Sequence, residues 1–85
     1  TKHFLFGKKN LIRKFAKYIA KFANQGNKIN ISIGHAIAEE EALYLKKYLQ
    51  SKVSNVSEFK VTELGTAIGV HGGPGAIVVG VQILS

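Results

Sequence analysis

The apolar residues of this chain change their spacing from one segment to the next, and this pattern restricts the fold more than any other feature. Between residues 8 and 24 they recur every three or four residues, the period of one helix face. These positions are Leu11, Ile12, Phe15, Ala16, Ile19, Phe22 and Ala23. From residue 29 the spacing falls to two, because Ile29, Ile31 and Ile33 alternate with polar residues as in a half-buried strand. The pattern predicts a helix followed by a strand.

The rest of the chain continues this alternation of elements. The further predicted strands cover residues 1–6, 56–63 and 76–84, and a second helix covers residues 39–51. Gly7 is expected to end the first strand, and a short turn or helical stretch is expected at residues 66–70. The order β-α-β-α-β-β predicts an α/β (α+β) two-layer sandwich, with helices on one face of a sheet.

The last 22 residues, from Leu64 to Ser85, carry no formal charge. Their length would suit a membrane span. The middle of this segment, however, contains Gly69, His71, Gly72, Gly73, Pro74 and Gly75. Glycine, proline and histidine are unfavourable there, so the segment is interpreted as a glycine-rich loop before a buried strand.

Positive charge is concentrated in the first third of the chain. Residues 1–28 hold eight lysines and arginines and no acid, whereas the remainder holds four lysines and five glutamates. The candidate docking residues are Lys8, Lys9, Arg13, Lys14, Lys17 and Lys21. Such a helix face can be simply solvated, or it can bind an acidic protein, an anionic membrane surface or nucleic acid, and charge alone does not choose among these.

Several chemistries are excluded or disfavoured by composition. The chain has no cysteine and no aspartate, and its three histidines are widely spaced, so no metal site and no cofactor are expected. Neither paired carboxylates nor a Ser-His-Asp set can be assembled, so catalysis by this chain alone is not expected. These residues contain no signal-peptide pattern, and a cytoplasmic location is expected.

The run from His71 to Ala76 is the segment that most resembles a binding loop. Glycines allow close approach of a ligand and proline fixes the chain between them, an arrangement that suits an anion. A P-loop is excluded because no Gly-Lys-Ser/Thr follows, and the third small residue of a dinucleotide fingerprint is also absent. The alternative is a tight turn in which His71 only caps the backbone.

The stretch from Leu64 to Ala76, with its Gly-x-x-Ile-Gly-x-His-x-Gly-Pro-Gly-Ala pattern, resembles the C-terminal signature of the DegV family. Gly34-His35-Ala36 after a strand, and the acidic helix start that follows, extend the resemblance over essentially the whole chain. The family comprises bacterial two-domain proteins that hold a long-chain fatty acid between their domains. Some of them present it to a kinase subunit for phosphorylation.

The resemblance implies that residues 1–85 are the C-terminal fragment of such a carrier, without the N-terminal domain and without enzymatic activity of its own. It places His71, Gly72, Gly73 and Gly75 near the fatty-acid carboxyl group. The hydroxyl groups that hold the carboxylate in the family have no counterpart here, so the fragment is expected to self-associate rather than bind lipid alone. Nucleic acid is not a partner on this reading. A basic domain that binds nucleic acid or an acidic protein is the alternative.

Two further features have two interpretations each. His35 can face a ligand crevice at a strand end, or it can form a backbone hydrogen bond at the entry to a helix. Phe15, Ile19 and Phe22 can line an acyl tunnel, although an aromatic stripe at helical spacing is typical of a plain core.

Overall fold

In the computed structural model of the chain, the structure describes residues 2–64 and 74–84. Strands β1 to β4 cover Lys2–Lys8, Ile29–His35, Val56–Glu63 and Ala76–Ile83; helices α1 and α2 cover Ile12–Ala23 and Glu39–Lys52; and a 3-10 turn covers Lys9–Leu11. This order confirms the predicted α/β class. The turn or helical stretch predicted at residues 66–70 lies outside the described residues.

The four strands form one sheet in the order β1-β4-β2-β3. β4 is antiparallel to both of its neighbours, and β2 is parallel to β3. As a result β1, β2 and β3 run in the same direction and end together at Lys8, His35 and Glu63, where β4 begins at Ala76. We call this end of the sheet the carboxyl edge.

The core lies between one face of the sheet and the two helices. The two helices contact each other, and each contributes a fully buried alanine to the core, Ala16 from α1 and Ala42 from α2. The largest buried side chains are Ile19, Ile31, Ile33, Leu45, Leu49, Ile77, Val79 and Val81. Each contributes about 1.5–3 kcal/mol through removal of apolar surface from water.

The prediction that Gly7 ends the first strand is wrong. Gly7 lies inside β1 and pairs with Ile77 of β4. The ring of Phe15 lies directly over it, and a Cβ atom at this position would stand only 2.6 Å from the ring. Gly7 is therefore a site of close packing between β1 and α1. The sequence-based boundaries of β2 also change, because this strand continues to His35.

Leu11 is a second correction, because its spacing predicts a position on the buried face of the first helix. It lies in the 3-10 turn and is 53% exposed. Its φ and ψ of −119° and 23° are not helical, which takes it out of phase with α1. Phe15 and Ile19 are buried in the core, as expected for an aromatic stripe that belongs to a plain core. Phe22 is partly buried beside the ring of His3.

No helix within residues 2–64 and 74–84 combines the length and apolar character needed to cross a bilayer. Of the uncharged C-terminal segment, residues Ala76–Ile83 form β4, with Ile77, Val79 and Val81 buried. The buried-strand interpretation of this part is confirmed.

Candidate functional site

Three backbone hydrogen bonds join the strands at the carboxyl edge. The Lys9 amide donates to the Gly75 carbonyl at 2.8 Å, and the Gly75 amide donates to the Ala36 carbonyl at 2.6 Å. The Ala36 amide in turn donates to the Ala76 carbonyl at 3.0 Å. The C-terminal end of the glycine-rich segment is thus fixed between the residues that follow β1 and β2.

The backbone of Gly75 has a conformation that any other residue would adopt only with strain. Its φ is +90°, in the left-handed region where a Cβ atom costs about 1–2 kcal/mol. A Cβ atom here would also stand 3.1 Å from Cγ of Lys9, whose aliphatic stem lies against the glycine. Glycine at this position therefore allows Lys9 to approach the base of the loop.

His71, Gly72 and Gly73, the other residues predicted to contact a ligand carboxyl group, lie outside the described residues. Leu64 and Pro74 are the nearest described residues on either side of this segment, and both lie at the carboxyl edge. The Leu64 amide donates to the His35 carbonyl at 2.8 Å, and Pro74 precedes Gly75 directly.

His35 is buried, with 3% of its surface exposed, and its ring forms a hydrogen bond within the fold. The Ala38 amide donates a hydrogen bond of 3.2 Å to its Nδ1. The interpretation of His35 as a helix-entry histidine bonded to the backbone is confirmed.

The six predicted docking residues are all exposed, but they fall into two groups. Lys8 and Lys9 stand at the carboxyl edge, beside the base of the loop. The others form one face of α1, which we call the basic stripe: Arg13, Lys14, Lys17 and Lys21. Since Arg13, Lys17 and Lys21 recur every four residues, the stripe extends about 12 Å along the helix away from the edge.

Both helices begin at the carboxyl edge, and the charges around the two starts have opposite sign. The first turn of α1 has no acidic residue and holds Arg13 and Lys14. The first turn of α2 holds Glu39, Glu40 and Glu41. An anion near this edge is therefore attracted to the α1 side and repelled from the α2 side.

Two apolar residues that the sequence reasoning did not assign to the site are exposed at the same edge. Leu11 follows Lys9 in the 3-10 turn, and Ile37 follows Ala36 between β2 and α2 with 75% of its surface exposed. An apolar residue outside the helix and strand periods is the signal that would have found Ile37, whereas Leu11 fits the helix period and its spacing gives no such signal. The edge therefore combines cations, a glycine backbone and exposed apolar side chains.

An open groove of about 680 Å³ runs along the outer edge of β1. Its apolar lining includes Phe4, Phe6, Leu11 and Tyr18, each more than half exposed. Lys8 and Lys14 also line it. Within the described part of the chain, no three histidine or acidic side chains come close enough to hold a metal ion.

A family model described as "Uncharacterised protein, DegV family" matches residues 3–84 of this chain. A DegV domain-containing protein of Clostridium perfringens is 36% identical over 76 residues, which cover 89% of this chain and 26% of that protein. The chain thus spans about a quarter of the length of this curated relative.

Solved structures give the same fold. A DegV family protein of Corynebacterium glutamicum is similar with a TM-score of 0.77 and 26% identity, over 87% of this chain and 29% of that one. A DegV family protein of Thermus thermophilus, described as binding fatty acid, is similar with a TM-score of 0.75 and 26% identity, over 92% of this chain and 28% of that one.

Proposed function

This chain belongs to the DegV family, and from that premise we propose that it forms the C-terminal part of a protein that binds long-chain fatty acids. The relative from Thermus thermophilus is described as fatty-acid binding and shares 26% of its aligned sequence with this chain. The proposed role is binding and presentation of the lipid, and not catalysis.

The observation that carries the proposal is the composition of the carboxyl edge. A fatty acid has one anionic end and a long apolar chain, so its site needs both a positive and an apolar surface. Lys9 lies against Gly75 on one side of the edge, and Leu11 and Ile37 are exposed at the same edge. In this proposal His71, Gly72, Gly73 and Gly75 surround the carboxylate, and His71 donates a charge-assisted hydrogen bond to it.

The acyl chain would lie between this chain and the rest of the intact protein, with this chain as one wall. The described residues expose apolar surface without enclosing it, as at Phe4 and Phe6, which are 56% and 75% exposed. Carboxylate ligands from the remaining three quarters of the protein would complete the site.

The basic stripe is proposed to dock an acidic surface of a kinase subunit that phosphorylates the bound fatty acid. The exposure of Arg13, Lys14, Lys17 and Lys21, which point away from the core, supports docking. The same stripe also supports the alternative function, a basic domain that binds nucleic acid or an acidic protein. The two functions differ in whether lipid accompanies the purified protein.

Lipid extraction and mass spectrometry of the intact protein, followed by titration with oleate, test the proposal. We expect a co-purified long-chain fatty acid, and an affinity that falls about 10- to 150-fold in the His71→Ala variant, since a hydrogen bond to a carboxylate contributes about 1.5–3 kcal/mol. His3→Ala is the matched control, because His3 lies near the opposite end of β1. Absence of bound lipid, together with no oleate binding, would contradict the proposal and favour the alternative function.

The isolated 85-residue chain supplies a second arm of this experiment. We expect it to retain no fatty acid as a monomer and to self-associate, because the outer edge of β1 is unpaired in the described sheet and is flanked by Phe4 and Phe6. Sedimentation velocity at several concentrations measures the association. A monomeric fragment with the oleate affinity of the intact protein would show that this chain is a complete binding unit.

A further inference from the structure

Ile37 has a backbone conformation that its residue type strongly disfavours. Its φ is +52°, in the left-handed region. A β-branched residue is a marked outlier there, because its Cβ substituents crowd the backbone. Strain of this kind persists only where the surrounding structure imposes it, and it is concentrated at functional sites.

The residues on both sides of Ile37 are fixed by hydrogen bonds. Both backbone groups of Ala36 are bonded to β4 or to the residue that precedes it, the amide to Ala76 and the carbonyl to Gly75. The Ala38 amide is bonded to Nδ1 of His35, and its carbonyl accepts from Ala42 in the first turn of α2. The backbone at Ile37 therefore has little freedom to relax its φ.

The strained side chain gains almost no packing in return. Ile37 is 75% exposed, whereas its neighbours Ala36 and Ala38 are 8% and 2% exposed. The fold of the described residues thus holds a branched apolar side chain in solvent, in a conformation that glycine or asparagine would adopt more easily. A contact outside these residues would account for this choice of residue.

We propose that Ile37 contacts the alkyl chain of the bound fatty acid, an inference that rests on the function proposed above. The position favours the alkyl part over the carboxylate, because Glu39, Glu40 and Glu41 follow directly after Ala38 and repel an anion. The carboxylate instead belongs on the side of Lys9 and Gly75. Ile37 is then a specificity residue that holds the first part of the acyl chain against the sheet edge.

The test compares three variants of the intact protein. Ile37→Gly and Ile37→Asn relieve the backbone strain and remove the apolar contact, whereas Ile37→Leu keeps an apolar side chain of the same size. We expect the melting temperature of the lipid-free protein to stay the same or rise by a few degrees for glycine and asparagine. Their oleate affinity should fall about 5- to 30-fold, while that of the leucine variant stays close to wild type. Leu43→Ala, at an exposed apolar position of α2, should leave the affinity unchanged.

The outcomes separate this inference from the proposed function. If wild-type protein binds oleate and the glycine variant binds it equally well, Ile37 does not touch the ligand and only the inference fails. If the lipid-free glycine and asparagine variants melt at clearly lower temperatures, Ile37 serves packing within the intact protein, and the inference is again overturned. If wild-type protein binds no oleate, the proposed function fails, and the inference fails with it.

Discussion

The two helices of this protein start at the same edge of the same sheet, yet their starts are built differently. α2 begins after a histidine whose ring accepts the Ala38 amide, and its first turn carries three glutamates. α1 begins after a 3-10 turn and carries only cations in its first turn, and in neither helix does the N-cap side chain form a capping hydrogen bond within the described residues. Each helix start has free amide groups and a partial positive charge.

The difference indicates which start serves the fold and which remains available to a ligand. At α2 the His35 ring accepts the Ala38 amide, and the three glutamates offset the positive charge of the helix end from within the chain. At α1, Arg13 and Lys14 add to the positive potential of the helix end, which destabilises the helix slightly but attracts an anion. Lys9 and Gly75 lie on this side of the edge. The anionic end of the proposed fatty acid is therefore expected on the α1 side of the carboxyl edge.

The largest expected effect comes from breaking the start of α2. The His35→Ala substitution leaves the Ala38 amide without its acceptor and opens a cavity at a buried position, which should lower the free energy of unfolding by about 2–4 kcal/mol. Urea unfolding of the intact protein measures this free energy.

His35→Asn, which retains an acceptor, should recover part of the loss. His3→Ala should cost no more than about 1 kcal/mol, the scale of its edge contact with Phe22. Equal losses for the two alanine variants would contradict the role given to His35.

The next effect concerns the base of the loop on the α1 side. Gly75→Ala should cost about 1–2 kcal/mol of stability through its φ of +90° and should also displace Lys9, which lowers oleate affinity. Gly26→Ala is a matched control, since its φ is +89° but nothing lies within 4 Å of the added Cβ. We expect both substitutions to destabilise the protein, Gly75→Ala at least as much as Gly26→Ala because its Cβ atom also crowds Lys9, and we expect loss of affinity from Gly75→Ala alone. Loss of affinity in both would show that the effect is one of stability.

A third effect concerns the basic stripe. Replacement of Lys14, Lys17 and Lys21 by glutamate should slow association with an acidic kinase subunit about tenfold or more. Oleate affinity should fall only by the amount that Lys14→Glu alone produces, because Lys17 and Lys21 lie beyond the first turn of α1. The wild-type rate should itself fall as salt rises, since charges are screened over about 8–10 Å. The control is the same change of charge on α2, at Lys46, Lys47 and Lys52. A similar slowing in both variants would assign the effect to net charge and not to the stripe.

The periodic parts of the fold were predictable from the sequence, and the parts fixed by tertiary contacts were not. The third strand was predicted at its observed bounds, Val56–Glu63, because its alternation is clear. Gly7 was misread as the end of a strand, since the sequence does not show that the ring of Phe15 packs on it. Leu11 had the right spacing for the core but lies in a 3-10 turn.

The site was predictable to a similar extent. The cluster of cations and the special backbone of Gly75 follow from residue types, whereas their meeting at one edge depends on β4 inserting between β1 and β2. No residue preference predicts a left-handed isoleucine, because the conformation of Ile37 is imposed by the hydrogen bonds of Ala36 and Ala38. The ligand role of His71 stays a prediction.

The smallest effect tests the contrast between the helix starts most directly, because Arg13 and Glu40 both occupy the second position of their helices. Arg13→Glu gives α1 an acid where the helix dipole favours one, and should stabilise the protein by about 0.3–1 kcal/mol. Glu40→Arg makes the reverse change at α2 and should destabilise the protein by a similar amount.

If the α1 start is kept positive for an anion, Arg13→Glu should also weaken oleate binding although the protein is more stable. Glu40→Arg should leave oleate binding unchanged or strengthen it slightly. Thermal unfolding and oleate titration of both intact variants, at low and high salt, measure the two quantities. A protein that gains stability from Arg13→Glu with undiminished oleate affinity would show that the positive start of α1 is not used for the carboxylate.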